Sequence, residues 1–213
     1  MEITWYGLSC FRITERGKIS IVTDPYDPAI GLPKRNLKAD VVTISHDEPG
    51  HNFVNAVKVG RRVIDGPGEF EIGGVFITGV RRVSEKEKEN GAVQRTLFVF
   101  NFDGLTIAHL GNMATVPSQA QIEELGTVNI ALVPVGGGGA LNPSMAAEVI
   151  SLIEPSIVVP MHYKTADDGP ELSTVAGFLK EMGISDQDSL PSLSVTKSSL
   201  TEETQVVLLA PPS

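Results

Sequence analysis

The sequence predicts an α/β (α+β) fold in which two β-sheets pack face to face with helices over their outer sides. Three observations carry that expectation. Hairpin-type β segments fill the first half, strands alternate with helices in the second, and the four histidines fall where apolar runs end. Taken in order, residues 2–14 and 18–23 read as two strands joined by a turn at Glu15-Arg16-Gly17, and Asp24-Pro25 ends the second. A link containing Pro25, Pro28 and Pro33 leads to a strand at 41–45, and residues 52–59 suggest a short helix. Further β segments fall at 68–72, 75–80, 96–102 and 105–110, the last two joined by Asp103-Gly104, a strong two-residue hairpin signal. Residues 84–91 alternate in charge without an apolar side chain and read as a solvated loop.

In the second half Ser118 and Gln121 have the spacing of a capping box, Ile122 and Leu125 share a face, and Gly126 is the stop. A strand at 129–135 runs into four consecutive glycines, Gly136 to Gly139. Asn142 as N-cap and Pro143 at the first helical position open a helix with an apolar stripe of Met145, Val149 and Leu152, ended by Pro155. A strand at 157–160, a helix over 171–182 and a closing strand at 205–209 complete the chain. The four-glycine loop lacks the GxGxxG spacing and the Lys-Ser/Thr of a phosphate-binding loop. It reads as backbone running close beneath a pocket.

A length of 213 residues suits one domain spanning 1–213. The net charge of −9, with no Lys/Arg cluster, argues against nucleic acid as a partner. The chain start lacks the basic and apolar regions of a signal peptide, and no apolar run approaches the roughly 20 residues of a membrane span. We therefore expect a cytoplasmic protein with a small-molecule ligand or substrate and no membrane partner; a homo-oligomer stays open. The single Cys10 lies in an apolar segment and reads as a small core residue.

The stretch richest in chemistry is Ser45-His46-Asp47-Glu48-Pro49-Gly50-His51, where a buried strand stops in a loop. His46 and His51 bracket Glu48 at spacings of two and three. That is too irregular for one helix face and suits a loop folded around a point charge. His109 and His162 also sit at ends of apolar runs.

The order of these landmarks resembles the metallo-β-lactamase superfamily, specifically the small metal-dependent hydrolase branch that includes ascorbate-6-phosphate lactonase relatives. The marks are Ile21-Val22-Thr23-Asp24-Pro25, the 45–51 loop at the place of a His-x-His-x-Asp-His signature, Gly66-Pro67-Gly68, His109-Leu110-Gly111-Asn112, Pro134-Val135-Gly136-Gly137 and Pro160-Met161-His162-Tyr163. The resemblance implies a four-layer αββα sandwich with its site at one edge. It also implies two metals. The first would be held at His46, Glu48 and a mid-chain position placed at Ser84, the second at Gly50, His51 and His162, with the bridging position at Asn112.

Four of these seven positions depart from the family pattern: Glu48, Gly50, Ser84 and Asn112. A neutral amide screens two cations about 3.5–4 Å apart less well than a bridging carboxylate, which argues against a metal pair. His46, Glu48, His51, Asn112 and His162 could still converge on one Zn²⁺, Mn²⁺ or Fe²⁺. Two readings follow: a hydrolase-like protein whose degenerate, eroded metal site binds at most one metal, or none, and has lost the reaction; or a mononuclear metal-dependent hydrolase of small esters, lactones or phosphorylated metabolites. In the second reading Asp47 or Glu48 would accept the proton of a metal-bound water. The resemblance puts Asp24 close to the site, but Asp before Pro at a strand end also starts a turn, and it is read as a turn starter; Tyr163 and Lys164 could contact an anionic substrate and are read as solvated.

Overall fold

The computed structural model describes residues 1–82, 95–165 and 170–212. The first sheet contains β1 (Glu2–Gly7), β2 (Cys10–Thr14), β3 (Ile21–Thr23), β4 (Leu37–Thr43), β5 (Val57–Ile64) and β13 (Leu193–Ser194), in the order β13-β1-β2-β3-β4-β5. The second contains β6 (Gly68–Ile72), β7 (Val75–Arg82), β8 (Arg95–Phe102), β9 (Leu105–His109), β10 (Ile130–Pro134), β11 (Ile157–Met161) and β14 (Gln205–Val206), in the order β14-β11-β10-β9-β8-β7-β6. Two short strands, β12 (Ser189–Leu190) and β15 (Leu208–Leu209), pair apart from both.

The segment 2–14 is a hairpin and not one strand. Gly7 at φ +112 and Leu8 at φ +46 reverse the chain, so that Ile3 and Trp5 on one arm and Phe11 and Ile13 on the other join the same core. The helix expected at 52–59 is a single 3-10 turn, Val54–Ala56, followed by β5. The β-branched Val57, Val59, Val63 and Ile64 find partners along β4, and pairing decides against the helix. The closing strand divides between two sheets as β14 and β15. The hairpin between β8 and β9 turns at Asp103 and Gly104, with φ +53 and +85, the positive values a tight two-residue turn requires.

Three helices follow the predicted capping chemistry more closely than the predicted lengths. In α1 (Gln119–Glu123) the Ser118 N–H donates to Gln121 Oε1 at 2.9 Å. In α2 (Pro143–Ile153) Asn142 Oδ1 accepts from the Met145 N–H at 2.9 Å, and Glu154 in a left-handed conformation ends the helix ahead of Pro155. The last, α3 (Ala176–Glu181), is half the expected length, because residues 170–173 run instead along the mouth of a cleft. Helix α2 packs on β10 and on α3.

The core between the sheets joins Ile3, Trp5, Phe11, Ile21 and Val41 to Val75, Ile77, Phe98, Phe100 and Ile107. The outer face of the first sheet, with Cys10, Val22, Ala39 and Val42, is covered by Tyr26, Leu32 and Ala56 from loops and a 3-10 turn. Burial, reinforced by the Asp24 charge, pushes the Cys10 thiol well above its usual range, which fits a packing role. Among the described residues no helix is long and apolar enough to cross a membrane.

Each sheet contains a run of parallel strands: β3, β4 and β5 at one end of the first, β9, β10 and β11 within the second. Their carboxyl ends carry Asp24, Ser45 and His46, Asn112, Gly136 and His162, so one edge of the sandwich collects these polar loops. Truncating a core side chain tests the packing. Phe100→Ala is expected to cost about 3–5 kcal/mol in denaturant unfolding. Phe76→Ala, on the same sheet but 57% exposed, should stay within about 0.5 kcal/mol.

Candidate functional site

The site is built around a carboxylate with no solvent exposure. Asp24 ends β3 at φ +39, and its N–H donates to the Thr43 carbonyl at 2.9 Å. Its Oδ1 accepts from the Ser45 N–H at 2.7 Å, and its Oδ2 accepts from Ser45 Oγ at 2.5 Å and lies 2.8 Å from His51 Nδ1. A turn-starting role does not account for Asp24: its side chain joins β3 to the loop after β4 and orients an imidazole. The left-handed backbone costs energy in a non-glycine residue, and these three hydrogen bonds offset it.

His46 follows, with Nδ1 3.3 Å from Ser45 Oγ and Nε2 3.4 Å from Asn112 Nδ2. Ser45 Oγ gives its proton to Asp24, so His46 Nδ1–H is the donor to Ser45 and the Nε2 lone pair faces the Asn112 amide. The rings of His46 and His51 lie 4.1 Å apart between centroids, and those of His51 and His162 stack 5.4 Å apart at 19°. Two glycines make this crowding feasible. A Cβ on Gly111, at φ +56, would stand 2.6 Å from Ser45 Cβ, and one on Gly136 would stand 2.2 Å from the His162 carbonyl oxygen. The four-glycine loop does run close beneath the pocket: the Gly136 N–H donates to the His162 carbonyl at 3.0 Å, and Gly138 and Gly139 line the cleft.

That cleft has a volume of about 490 Å³. His46, His51, His162, Asn112 and Arg95 lie on its walls with Leu8 and Leu172, and Glu48 and Glu171 are exposed at its mouth. Arg95 opens β8, whose root is fixed to the histidine loop by the Thr96 N–H donating to the Ser45 carbonyl at 2.7 Å. Burial pushes the His46 and His51 imidazoles down to about 3 and that of His162 to about 4. The Arg95 charge adds to the depression at His46 and His51. Burial raises the Asp24 carboxyl. At neutral pH the three imidazoles are therefore uncharged, and His51 donates Nδ1–H to Asp24 while presenting Nε2 to the cleft.

Of the residues the sequence singled out, His46, Glu48, His51, Asn112 and His162 all line this one cleft. Glu48 does so from the exposed mouth, whereas Asp47 is exposed and accepts from Asn52 Nδ2 at 2.5 Å. Gly50 contributes wall without a side chain, and Ser84 lies outside the described residues. His109 is fully buried, with Nε2 2.9 Å from the Ser9 carbonyl, a structural role. Tyr163 is buried against Trp5, ring centroids 4.9 Å apart, and is not solvated. Sequence reasoning missed the role of Asp24 and missed Arg95. The signal for Asp24 was its place at the end of a fully buried strand parallel to the histidine-bearing one. Arg95 gave none, since only the pairing of β8 brings it to His46. Among the described residues no three His, Cys, Asp or Glu side chains are grouped as metal ligands. Among the described residues the groups on the cleft wall able to donate to a metal are the imidazoles of His46, His51 and His162 and the Asn112 amide, with the Glu48 carboxylate exposed at the mouth.

Residues 2–162 match a family model described as a beta-lactamase superfamily domain. The chain belongs to this superfamily. It is 31% identical over 199 residues to a UPF0173 protein of Pyrococcus abyssi, covering 85% of this chain and 90% of the relative. It is 27% identical over 197 residues to a UPF0173 metal-dependent hydrolase of Methanosarcina mazei, with 78% and 85% covered. Among solved structures it is similar to a proposed Zn-dependent hydrolase of the metallo-beta-lactamase superfamily from Thermotoga maritima, at 37% identity and a TM-score of 0.79, covering 98% of this chain and 97% of that one. The superfamily membership and the mixed α/β architecture of two large sheets with few helices thus agree with the landmarks read from the sequence.

The depressed imidazoles have a consequence for this superfamily member's stability. An unfolded histidine takes up its proton near pH 6.5, roughly, whereas burial delays uptake in the folded chain to about 3 for His46 and His51 and about 4 for His162. Between these limits the unfolded state binds more protons, so stability falls as pH drops from about 6.5 toward 3. The raised Asp24 acts in the opposite sense, but it is one group against four, since burial lowers His109 as well. Thermal melts across that range should show the loss, and His46→Gln should flatten it.

Proposed function

We propose that this protein keeps the hydrolase fold and a ligand-binding cleft but has given up the two-metal reaction, holding at most one divalent metal. The observation that carries this reading is the charge on the cleft wall. The guanidinium of Arg95 lies among imidazoles held neutral, and the buried carboxylate of Asp24 already accepts from Ser45 and His51. Two cations about 3.5–4 Å apart need anionic ligands to offset their repulsion, and a positive side chain on the same wall adds to it. Gly50 without a side chain and Asn112 as a neutral amide lack the carboxylates that would have supplied that charge, and the carboxylate of Glu48 stands at the exposed mouth. A small-molecule ligand and a cytoplasmic location go with this reading.

One observation favours a second reading, a mononuclear metal-dependent hydrolase of small esters, lactones or phosphorylated metabolites. The His51 Nδ1–H donates to a buried carboxylate at 2.8 Å, as the second ring nitrogen of a metal-ligating histidine commonly does. The similarity to a protein named a metal-dependent hydrolase supports it as well.

Metal analysis of protein purified without added metal, followed by an ester and lactone panel with and without chelator, separates the two. We expect at most one equivalent of metal and no chelator-sensitive turnover. One equivalent with chelator-sensitive turnover supports the mononuclear enzyme, and two tightly held equivalents overturn both readings.

A further inference from the structure

A wall that offers cations little still has something to offer an anion. Arg95 brings a permanent positive charge and a planar fork of donors. The Asn112 amide and His162 line the same cleft, and His162 Nδ1 is buried without a hydrogen-bond partner among the described residues. Apolar surface from Leu8, Ile30 and Leu172 flanks these groups, and the volume of about 490 Å³ suits a small metabolite. The mouth has the opposite sign, with Glu48 and Glu171 both exposed there. A polyanion would meet these two carboxylates on entry, and the net charge of −9 over the chain opposes it further.

We propose that the cleft wall binds one small oxyanion, a carboxylate or a phosphate monoester on a neutral or cationic body, with Arg95 supplying the positive charge that metal ions supply in a two-metal site. This rests on the reading that the metal pair has been lost. Arg95 and Asn112 grip the oxyanion, His162 adds a donor when its Nε2 carries the proton, and the carboxylates at the mouth select against additional negative charge. Neutral imidazoles suit this arrangement, since each can donate or accept through the nitrogen it presents to the cleft.

The test uses the full chain, dialysed against chelator, with its metal content measured on the same preparation. Inorganic phosphate and acetate are added separately and compared with chloride at matched ionic strength, with thermal melting and calorimetric titration as readouts. We expect phosphate, acetate or both to raise the melting temperature above the chloride control, because a ligand of the folded state alone stabilises it by mass action. A response to phosphate alone assigns the phosphate monoester, and a response to acetate alone the carboxylate. Arg95→Gln should weaken binding about tenfold or more, as loss of a charge-assisted hydrogen bond does. Arg95→Lys should retain part of it.

Asn112→Asp, which places a carboxylate in the cleft that Arg95 lines, should also weaken binding, and it decides the matter if Arg95→Gln does not melt cooperatively. Unchanged affinity in these variants overturns the proposal. So does the absence of any anion-specific shift in protein holding one equivalent of metal or less, and that result leaves the proposed function standing. Two equivalents of metal would overturn the proposed function and this inference with it.

Discussion

The hydrogen bonds converging on Asp24 are the constraint on which the site depends. A carboxylate with no solvent exposure is costly to bury unless it is well partnered, and here it accepts from the Ser45 backbone and hydroxyl and meets His51 at 2.8 Å. Those bonds tie the end of β3 to the loop after β4, and they fix the tautomer of one imidazole and, through Ser45, that of the next. The positions of His46 and His51 therefore follow from a residue that is itself absent from the cleft wall. The second sheet is fastened to the same point by the Thr96 N–H on the Ser45 carbonyl. Both halves of the sandwich thus hold their polar loops in register at one edge.

Much of the fold was legible because its signals are local. Asp103-Gly104 as a hairpin turn, Asn142-Pro143 as a helix start and the apolar runs of β9 to β11 each act through their own neighbours. The misreadings arose where pairing partners far away in sequence overrode local preference. Residues 57–59 became strand because β4 was there to receive them, and the closing strand divided because two sheets competed for it. The segment 2–14 looked continuous because both arms of its hairpin are apolar in alternation. Only the backbone at Gly7 and Leu8 distinguishes two short strands from one long one.

The site was legible in its inventory and less so in its electrostatics. His46, His51, Asn112 and His162 stand at ends of apolar runs, and the parallel strands bring those ends together, so position along the chain foretold position in space. What each residue does there depends on groups that sequence order cannot bring near. Arg95 reaches the histidines only through β8, and Asp24 reaches them only through the parallel pairing of β3 with β4. Glu48 shares the loop with two cleft-facing imidazoles and yet stands at its exposed mouth, since alternate residues of an irregular loop need not face the same way.

The guanidinium of Arg95 on the cleft wall also sets the field that any ligand meets there. Burial, with this charge added, lowers the basicity of His46 and His51, so a proton carried in by a ligand near neutral pH finds no ready acceptor on either ring.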